Sequence, residues 1–289
     1  MNGLLFPGQG SQAVGMGKAL YEKIPAAAAL LDGAGEVLGY DLKKVLFEGP
    51  QEKLMDTGYA QPAIYTASAM YLEKLKAEGL EYGCVAGHSL GEYSALLAAG
   101  VYDFETGLAL VAARGKAMRS MNGKGGMAAV LGLSEEALEP YMVSGAIMAN
   151  LNSGMQIVIS GTNEALEAVR QRLADNESVK FKRLNVSAAF HSPQMQEAAD
   201  IMRPLIEAAS MNEPKCRVFS NVTGKPAQCL SEIRKNLIAQ ITGQVRWYDT
   251  ILAMKAEGVD MLYEVGYGDV LKKLNKTITF RPKCVGVDI

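Results

Sequence analysis

Cysteine is scarce, with four residues at positions 84, 216, 229 and 284 of a 289-residue chain. They lack the short paired spacings of zinc and redox motifs, and four in a chain this long do not build a disulfide scaffold, so they read as reduced thiols used in packing. No long uncharged apolar run suits a membrane span. The amino terminus, Met1-Asn2-Gly3-Leu4-Leu5-Phe6-Pro7, has no basic segment leading into a secretory apolar stretch, so the expected location is cytoplasmic. Charge of one sign is also missing: 29 basic residues stand against 31 acidic ones, a formal net charge of -2. That balance argues against an extended nucleic-acid interface or an anionic membrane surface. No fixed-period repeat or low-complexity tail is visible, which gives little support to a solenoid or a disordered interaction protein. Histidine occurs only twice, at His88 and His191.

The chain is long enough for one large α/β domain carrying a smaller insertion, and its 49% hydrophobic content supplies a core for it. Leu4-Leu5-Phe6 reads as a short buried strand. Pro7-Gly8-Gln9-Gly10-Ser11-Gln12 then turns toward a helix near 16–22. Apolar residues recur at helical spacing over 59–78, and Cys84-Val85-Ala86 reads as a second buried strand running into Gly87-His88-Ser89-Leu90-Gly91, with a helix expected to start at the serine. An amphipathic segment from 103 carries Arg114, and Gly123-Lys124-Gly125-Gly126 looks like a domain crossing.

A different rhythm follows: strand 127–133, helix 134–143, strands 145–151 and 155–160, helix 163–174 and strand 179–187. This βαββαβ order is ferredoxin-like. After His191 the pattern returns to helices and short strands, including 217–220, 230–241, 261–265 and 284–287. The expected fold class is therefore α/β, with a large discontinuous domain over 1–124 and 189–289 and a small domain over 125–188.

Gly87-His88-Ser89-Leu90-Gly91 fits G-x-S-x-G, in which small residues on both sides of a serine permit a sharp strand-to-helix turn that exposes the hydroxyl. The same pentapeptide could be an ordinary turn with Ser89 capping a helix, but its place behind a buried strand favours a nucleophile. The N–H of Leu90 is then a candidate oxyanion donor at the helix start. A serine needs a base near neutral pH. His88 is adjacent to Ser89 and projects differently around the turn, which leaves His191, at the junction where the inserted pattern ends, as the better partner. An acidic side chain or a backbone carbonyl could orient that histidine, and residue patterns alone do not choose between them.

Phe6-Pro7-Gly8-Gln9-Gly10-Ser11-Gln12, Gly87-His88-Ser89-Leu90-Gly91-Glu92, Arg114 and Phe190-His191-Ser192-Pro193 together resemble the malonyl-CoA:acyl-carrier-protein transacylases, the discrete acyltransferases of fatty-acid or polyketide synthesis. Ala149-Asn150-Leu151-Asn152, Val158-Ile159-Ser160-Gly161, Ser220-Asn221-Val222-Thr223 and Val245-Arg246-Trp247 continue the resemblance in order, nearly end to end. It implies a large α/β-hydrolase-like domain with an inserted ferredoxin-like domain. It also implies that Ser89 and His191 act as a dyad, that the Gln9 and Leu90 amides form an oxyanion hole, and that the Gln240 carbonyl orients His191.

By matching position, Arg114 would pair with the malonyl carboxylate, a role suited to a permanently charged planar fork. From residue pattern alone it would read as a structural ion pair or a solvated helix face. Leu90 and Phe190 resemble residues that disfavour a methyl branch, and Gln61 and Asn152 fall at positions that shape the cleft or stabilise turns. Prolines familiar in the family are replaced near Gly154, Gln244 and Tyr267, which predicts altered loops, particularly around Gln240. The implied reaction takes malonyl-CoA as substrate and the phosphopantetheine thiol of an acyl carrier protein, supplied in trans, as acceptor, with no metal or bound cofactor. The alternatives are a proofreading acyl hydrolase and a noncatalytic carrier-docking protein.

Overall fold

The computed structural model describes residues 1–287 of the chain. Among these, nine strands form two sheets: β1 (Asn2–Phe6), β2 (Cys84–Gly87), β3 (Gly126–Leu131), β4 (Ala146–Ser153), β5 (Gln156–Gly161), β6 (Lys180–Arg183), β7 (Arg217–Phe219), β8 (Met261–Glu264) and β9 (Lys283–Gly286). One sheet is parallel, in the order β7-β2-β1-β8-β9, and the other is antiparallel, in the order β4-β5-β3-β6.

Strand β1 is buried on both faces because helices cover both. Its side chains alternate across the sheet. Leu4 and Phe6 join the large core that includes the helices Thr57–Ala77 and Phe104–Arg119, while Leu5 faces a second cluster with Ala86, Trp247, Ile251 and Met254. Phe6 is in register with Gly87, so β1 and β2 end together and their loops emerge side by side at the carboxyl edge of the sheet. That edge is where ligands bind in parallel α/β sheets.

The antiparallel sheet has its own core, built from Ala128, Val130, Ile157, Ile159, Leu166 and Val169, whereas Ala129 and Val158 on its other face pack into the large cluster. The chain segments leading in and out are tied to each other: Gly123 N–H donates to the Ser187 carbonyl at 2.8 Å and Ala189 N–H to the Lys124 carbonyl at 3.1 Å. A second tie runs from β4, where Leu151 N–H donates to the Val245 carbonyl at 2.9 Å and Val245 N–H to the Ala149 carbonyl at 2.8 Å.

Most of the periodicities yield the elements expected of them, with three differences. The helix expected over 134–143 is a single turn, Glu135–Leu138, that tightens into a 3₁₀ turn at Glu139–Tyr141, where Pro140 removes an amide donor. The strand expected over 179–187 spans only Lys180–Arg183; one further bond to β3, Leu184 N–H to the Met127 carbonyl at 3.0 Å, follows before Val186 N–H folds back onto the Leu184 carbonyl. The third difference concerns Ser89, which stands outside the helix that follows it. That helix runs from Gly91 to Ala98.

Candidate active site

Ser89 holds a left-handed backbone with φ of 52° at the end of β2. Bulk is excluded on either side of it: a side chain at Gly91 would collide with the Phe6 carbonyl, and one at Gly87 with the Gly91 backbone. Two hydrogen bonds from one residue clamp the turn. Asn221 Oδ1 accepts from Ser89 N–H at 2.7 Å, and Asn221 Nδ2 donates to the Gly87 carbonyl at 2.6 Å.

His191 is also left-handed, with φ of 57°, and is buried. Its Nε2 lies 2.7 Å from Ser89 Oγ and its Nδ1 lies 2.8 Å from the Gln240 carbonyl oxygen. A carbonyl can only accept, so Nδ1 carries the proton and Nε2 presents a lone pair to the serine hydroxyl. Burial, with the nearby Arg114 charge as the next cause, holds the imidazole down to about 3, so it is neutral at physiological pH. The segment around Gln240 thus delivers its carbonyl to the imidazole.

Arg114, on the helix Phe104–Arg119, is 1% exposed, and its oxygen partners are all neutral. NH1 donates to Gln61 Oε1 at 2.8 Å; NH2 donates to Gln240 Oε1 at 2.9 Å and to Ser89 Oγ at 3.2 Å. Its Nε has no partner among the described residues. The guanidinium lies against the Tyr93 ring, 5.5 Å from the centroid. Burial disfavours its charge.

The Gln9 and Leu90 amides come from the two adjacent loops, and neither has an acceptor among the described residues. Gly8 permits that approach, since a side chain there would meet the His88 carbonyl oxygen. Gln9 itself is held by Nε2 donating to Thr57 Oγ1 at 3.2 Å. These groups open on a cavity of about 610 Å3 whose walls include Leu90, Met118, Val158 and Phe190.

Asn152 reaches the same cavity, but its Oδ1 is 2.9 Å from His88 Nε2. His88 therefore turns to Asn152 and not to the Ser89 hydroxyl, with its ring centroid 5.4 Å from that of Trp247 in an edge-to-face arrangement, and burial lowers its pKa. The structure brings Ser89, His191, Arg114, Gln61 and Gln240 into direct contact and places Gln9, Leu90, Phe190 and Asn152 on the cavity, the Asn152 side chain being held by His88.

Two residues of the site carried no assigned role in the sequence reading. Asn221 clamps the turn. Glu92, 3% exposed, accepts from Gln240 Nε2 at 2.8 Å and from Asn221 N–H at 3.3 Å, and burial pushes its carboxyl up to about 7. A signal for Glu92 exists: Gly91-Glu92-Tyr93-Ser94-Ala95-Leu96-Leu97-Ala98 is apolar or small all round, which marks a buried helix whose one carboxylate must find partners. Among the described residues no group of three or more His, Cys, Asp and Glu side chains is arranged to hold a metal ion, and no helix is long and apolar enough to cross a membrane.

The model of the acyl transferase domain matches residues 4–263. A malonyl CoA-acyl carrier protein transacylase of Bacillus subtilis (strain 168) is 41% identical over 291 residues, covering 98% of this chain and 92% of the relative. Among solved structures, an acyl-carrier-protein-S-malonyltransferase from Bartonella henselae superposes with a TM-score of 0.95 at 37% identity, covering 100% of this chain and 95% of that one. A malonyl-transacylase solved in complex with its type II PKS acyl-carrier protein gives a TM-score of 0.94 at 34% identity over 99% of this chain and 95% of that one. Matching nearly end to end, the chain belongs to the acyl transferase domain family.

Proposed function

We propose that this chain transfers malonyl from malonyl-CoA to the phosphopantetheine thiol of an acyl carrier protein, through an ester on Ser89, in fatty-acid or polyketide synthesis. The observation that carries this reading is Arg114: a buried guanidinium with neutral oxygen partners, 3.2 Å from the nucleophilic oxygen, suits an acyl group with an acid at its far end. The relatives' names agree with it.

In the first half-reaction His191 Nε2 takes the Ser89 proton as Oγ attacks the thioester carbon. The oxyanion is met by the Gln9 and Leu90 N–H groups. As the tetrahedral centre collapses, the C–S bond breaks, and His191 returns the proton to the sulfur of the departing coenzyme A. In the second half, the carrier thiol gives its proton to His191 and attacks the malonyl ester; the C–O bond breaks and the proton goes back to Ser89. Burial is the main cause that depresses His191 and the Arg114 charge the next; a malonyl carboxylate on Arg114 offsets the second of these, so the bound acyl group itself raises the basicity of the imidazole. Leu90 and Phe190 would limit branching beside the acyl carbon.

The same reading treats residues 125–188 as a small domain inserted between 1–124 and 189–289. The paired crossings at Gly123–Ser187 and Lys124–Ala189 support it, as does the small sheet: βαββαβ in sequence and β4-β5-β3-β6 in space suits a ferredoxin-like unit. A nucleophile turn after a parallel strand supports the α/β-hydrolase-like description of the large domain. The free cysteines accord with a cytoplasmic location.

Mixing the chain with malonyl-CoA and following intact mass, then adding holo-carrier, tests the proposal. One malonyl adduct that maps to Ser89 and moves to the carrier is expected. Discharge to water instead would identify an editing hydrolase, and a folded chain that takes no adduct would be a docking protein.

A further inference from the structure

We propose that Glu92 is a positioning residue for acyl selection, which acts through the side-chain amide of Gln240 to keep the Arg114 guanidinium aimed into the acyl cavity. The inference rests on the malonyl-transfer reading and adds to it a residue that touches neither the substrate nor the reacting atoms.

An amide side chain looks symmetrical in shape but is not in polarity: one end donates and the other accepts. Gln240 has both of its amide donations spoken for. Nε2 gives one hydrogen to Glu92 Oε2 and one to the Ser89 carbonyl, both at 2.8 Å. Rotating the amide by half a turn would set an oxygen against a carboxylate and a carbonyl, and an NH2 against a guanidinium. With the Glu92 carboxyl ionised, every contact of the reversed amide would be repulsive. Glu92 and the Ser89 carbonyl therefore dictate that Oε1 faces Arg114, where it accepts from NH2 at 2.9 Å.

The other restraints on Arg114 do not fix its position in this way. Gln61 Oε1 accepts from NH1 at 2.8 Å, but the Nε2 of Gln61 faces only the Met118 sulfur at 3.4 Å, a weak acceptor. Arg114 Nε has no partner among the described residues. The contact through Gln240 is the one whose polarity a charged group sets.

The intervening amide also explains why the carboxylate is not closer. A direct Glu–Arg pair would fill the guanidinium fork and compete with an incoming acyl carboxylate. With one amide between them, Glu92 orients Arg114 without occupying the hydrogens that a substrate carboxylate needs: one on NH1, and the one on NH2 that goes to Ser89 Oγ at 3.2 Å. Glu92 is itself fixed from two sides, by Gln240 and by the Asn221 amide at 3.3 Å.

The test uses the full chain with malonyl-CoA and acetyl-CoA at a pH above 7, where Glu92 is ionised, measuring Ser89 loading of each by intact mass across substrate concentration, with thermal melts to check folding. Glu92→Gln removes the charge that sets the amide. Its malonyl-over-acetyl loading ratio should fall about tenfold or more, the scale of one hydrogen bond to a charged group, mainly through a higher KM for malonyl-CoA. Gln240→Met keeps the backbone carbonyl that His191 needs and deletes the amide, so it should reproduce the loss even if the Glu92 variant folds poorly. The double variant should lose no more of the ratio than either single one. A ratio that holds in both variants, or malonyl and acetyl loading that fall in step, would overturn the role of Glu92 while leaving malonyl transfer intact. A wild-type chain that takes no malonyl would sink the parent reading, and this one with it.

Discussion

The Nε2 of His191 lies 2.7 Å from Ser89 Oγ across 102 positions of sequence, and both residues hold left-handed backbones that side chains rarely adopt, with φ of 57° and 52°. Each such conformation costs on the order of 1–3 kcal/mol and persists only where the surroundings over-determine it. The glycines and Asn221 do so at Ser89, and the Gln240 carbonyl secures the His191 ring. The contact between imidazole and hydroxyl is thus set by the fold itself.

Ser89→Ala should abolish the acyl adduct. His191→Ala should leave Ser89 in its turn but slow its acylation by about 10²–10⁴-fold, the usual contribution of a positioned base. Rapid-quench mass spectrometry with malonyl-CoA reads both, and an His191→Ala rate close to wild type would remove the imidazole from the mechanism.

Arg114→Ala should cut malonyl loading by about 10- to 100-fold, the worth of hydrogen bonds to a charged group. Acetyl loading, which has no carboxylate to lose, should fall less. Arg114→Lys should recover charge but not the paired hydrogen bonds, and so restore malonyl loading only in part. Parallel kinetics with the two thioesters check this, and equal losses on both would place Arg114 in the fold rather than in selection.

Asn221→Ala strips partners from the Ser89 N–H and the Gly87 carbonyl at once. Unmet buried groups cost about 1–3 kcal/mol each, so the variant should melt several degrees below wild type and acylate more slowly as the turn relaxes. Calorimetry together with loading rates tests the pair of effects; a stable variant with normal loading would mean that the glycines suffice to hold the turn.

Stability against pH should show two buried groups working in opposite directions. His191 is lowered from 6.5 to about 3, so the stability it contributes is present above 6.5 and is lost as pH falls toward 3. Glu92 is raised from 4.5 to about 7, so its contribution is present below 4.5 and is lost as pH rises toward 7. Between 4.5 and 6.5 the two offset each other. Relative to wild type, Glu92→Gln should therefore gain stability with rising pH across that window, by up to about 1.4 kcal/mol per pH unit, and His191→Asn should lose it at a similar slope. Urea denaturation at about pH 5 and pH 6 measures both slopes. Parallel curves for all three proteins would contradict the shifted titrations.

What the residue order determined by itself is local. The apolar runs Leu4-Leu5-Phe6 and Cys84-Val85-Ala86, and glycines flanking Ser89, specify strands and a sharp turn because backbone sterics and burial act over a few residues. The scarcity of histidine then narrows the base to His191. The family resemblance supplied Arg114, Gln61, the Gln9 amide and the Gln240 carbonyl, contributions that no periodicity encodes.

Tertiary structure decided the rest, because a hydrogen bond depends on where two groups meet and which of them donates. Glu92 and Gln240 are 148 positions apart, and Asn221 reaches Ser89 across 132. Nothing near Gln240 in sequence reveals that its amide faces a carboxylate on one side and a guanidinium on the other. Asn152 shows the same limit in reverse, since its place by the cavity is real while its side chain is held by His88. Local sterics placed Ser89 in its turn, and only the packed fold could set the direction of each polar contact around it.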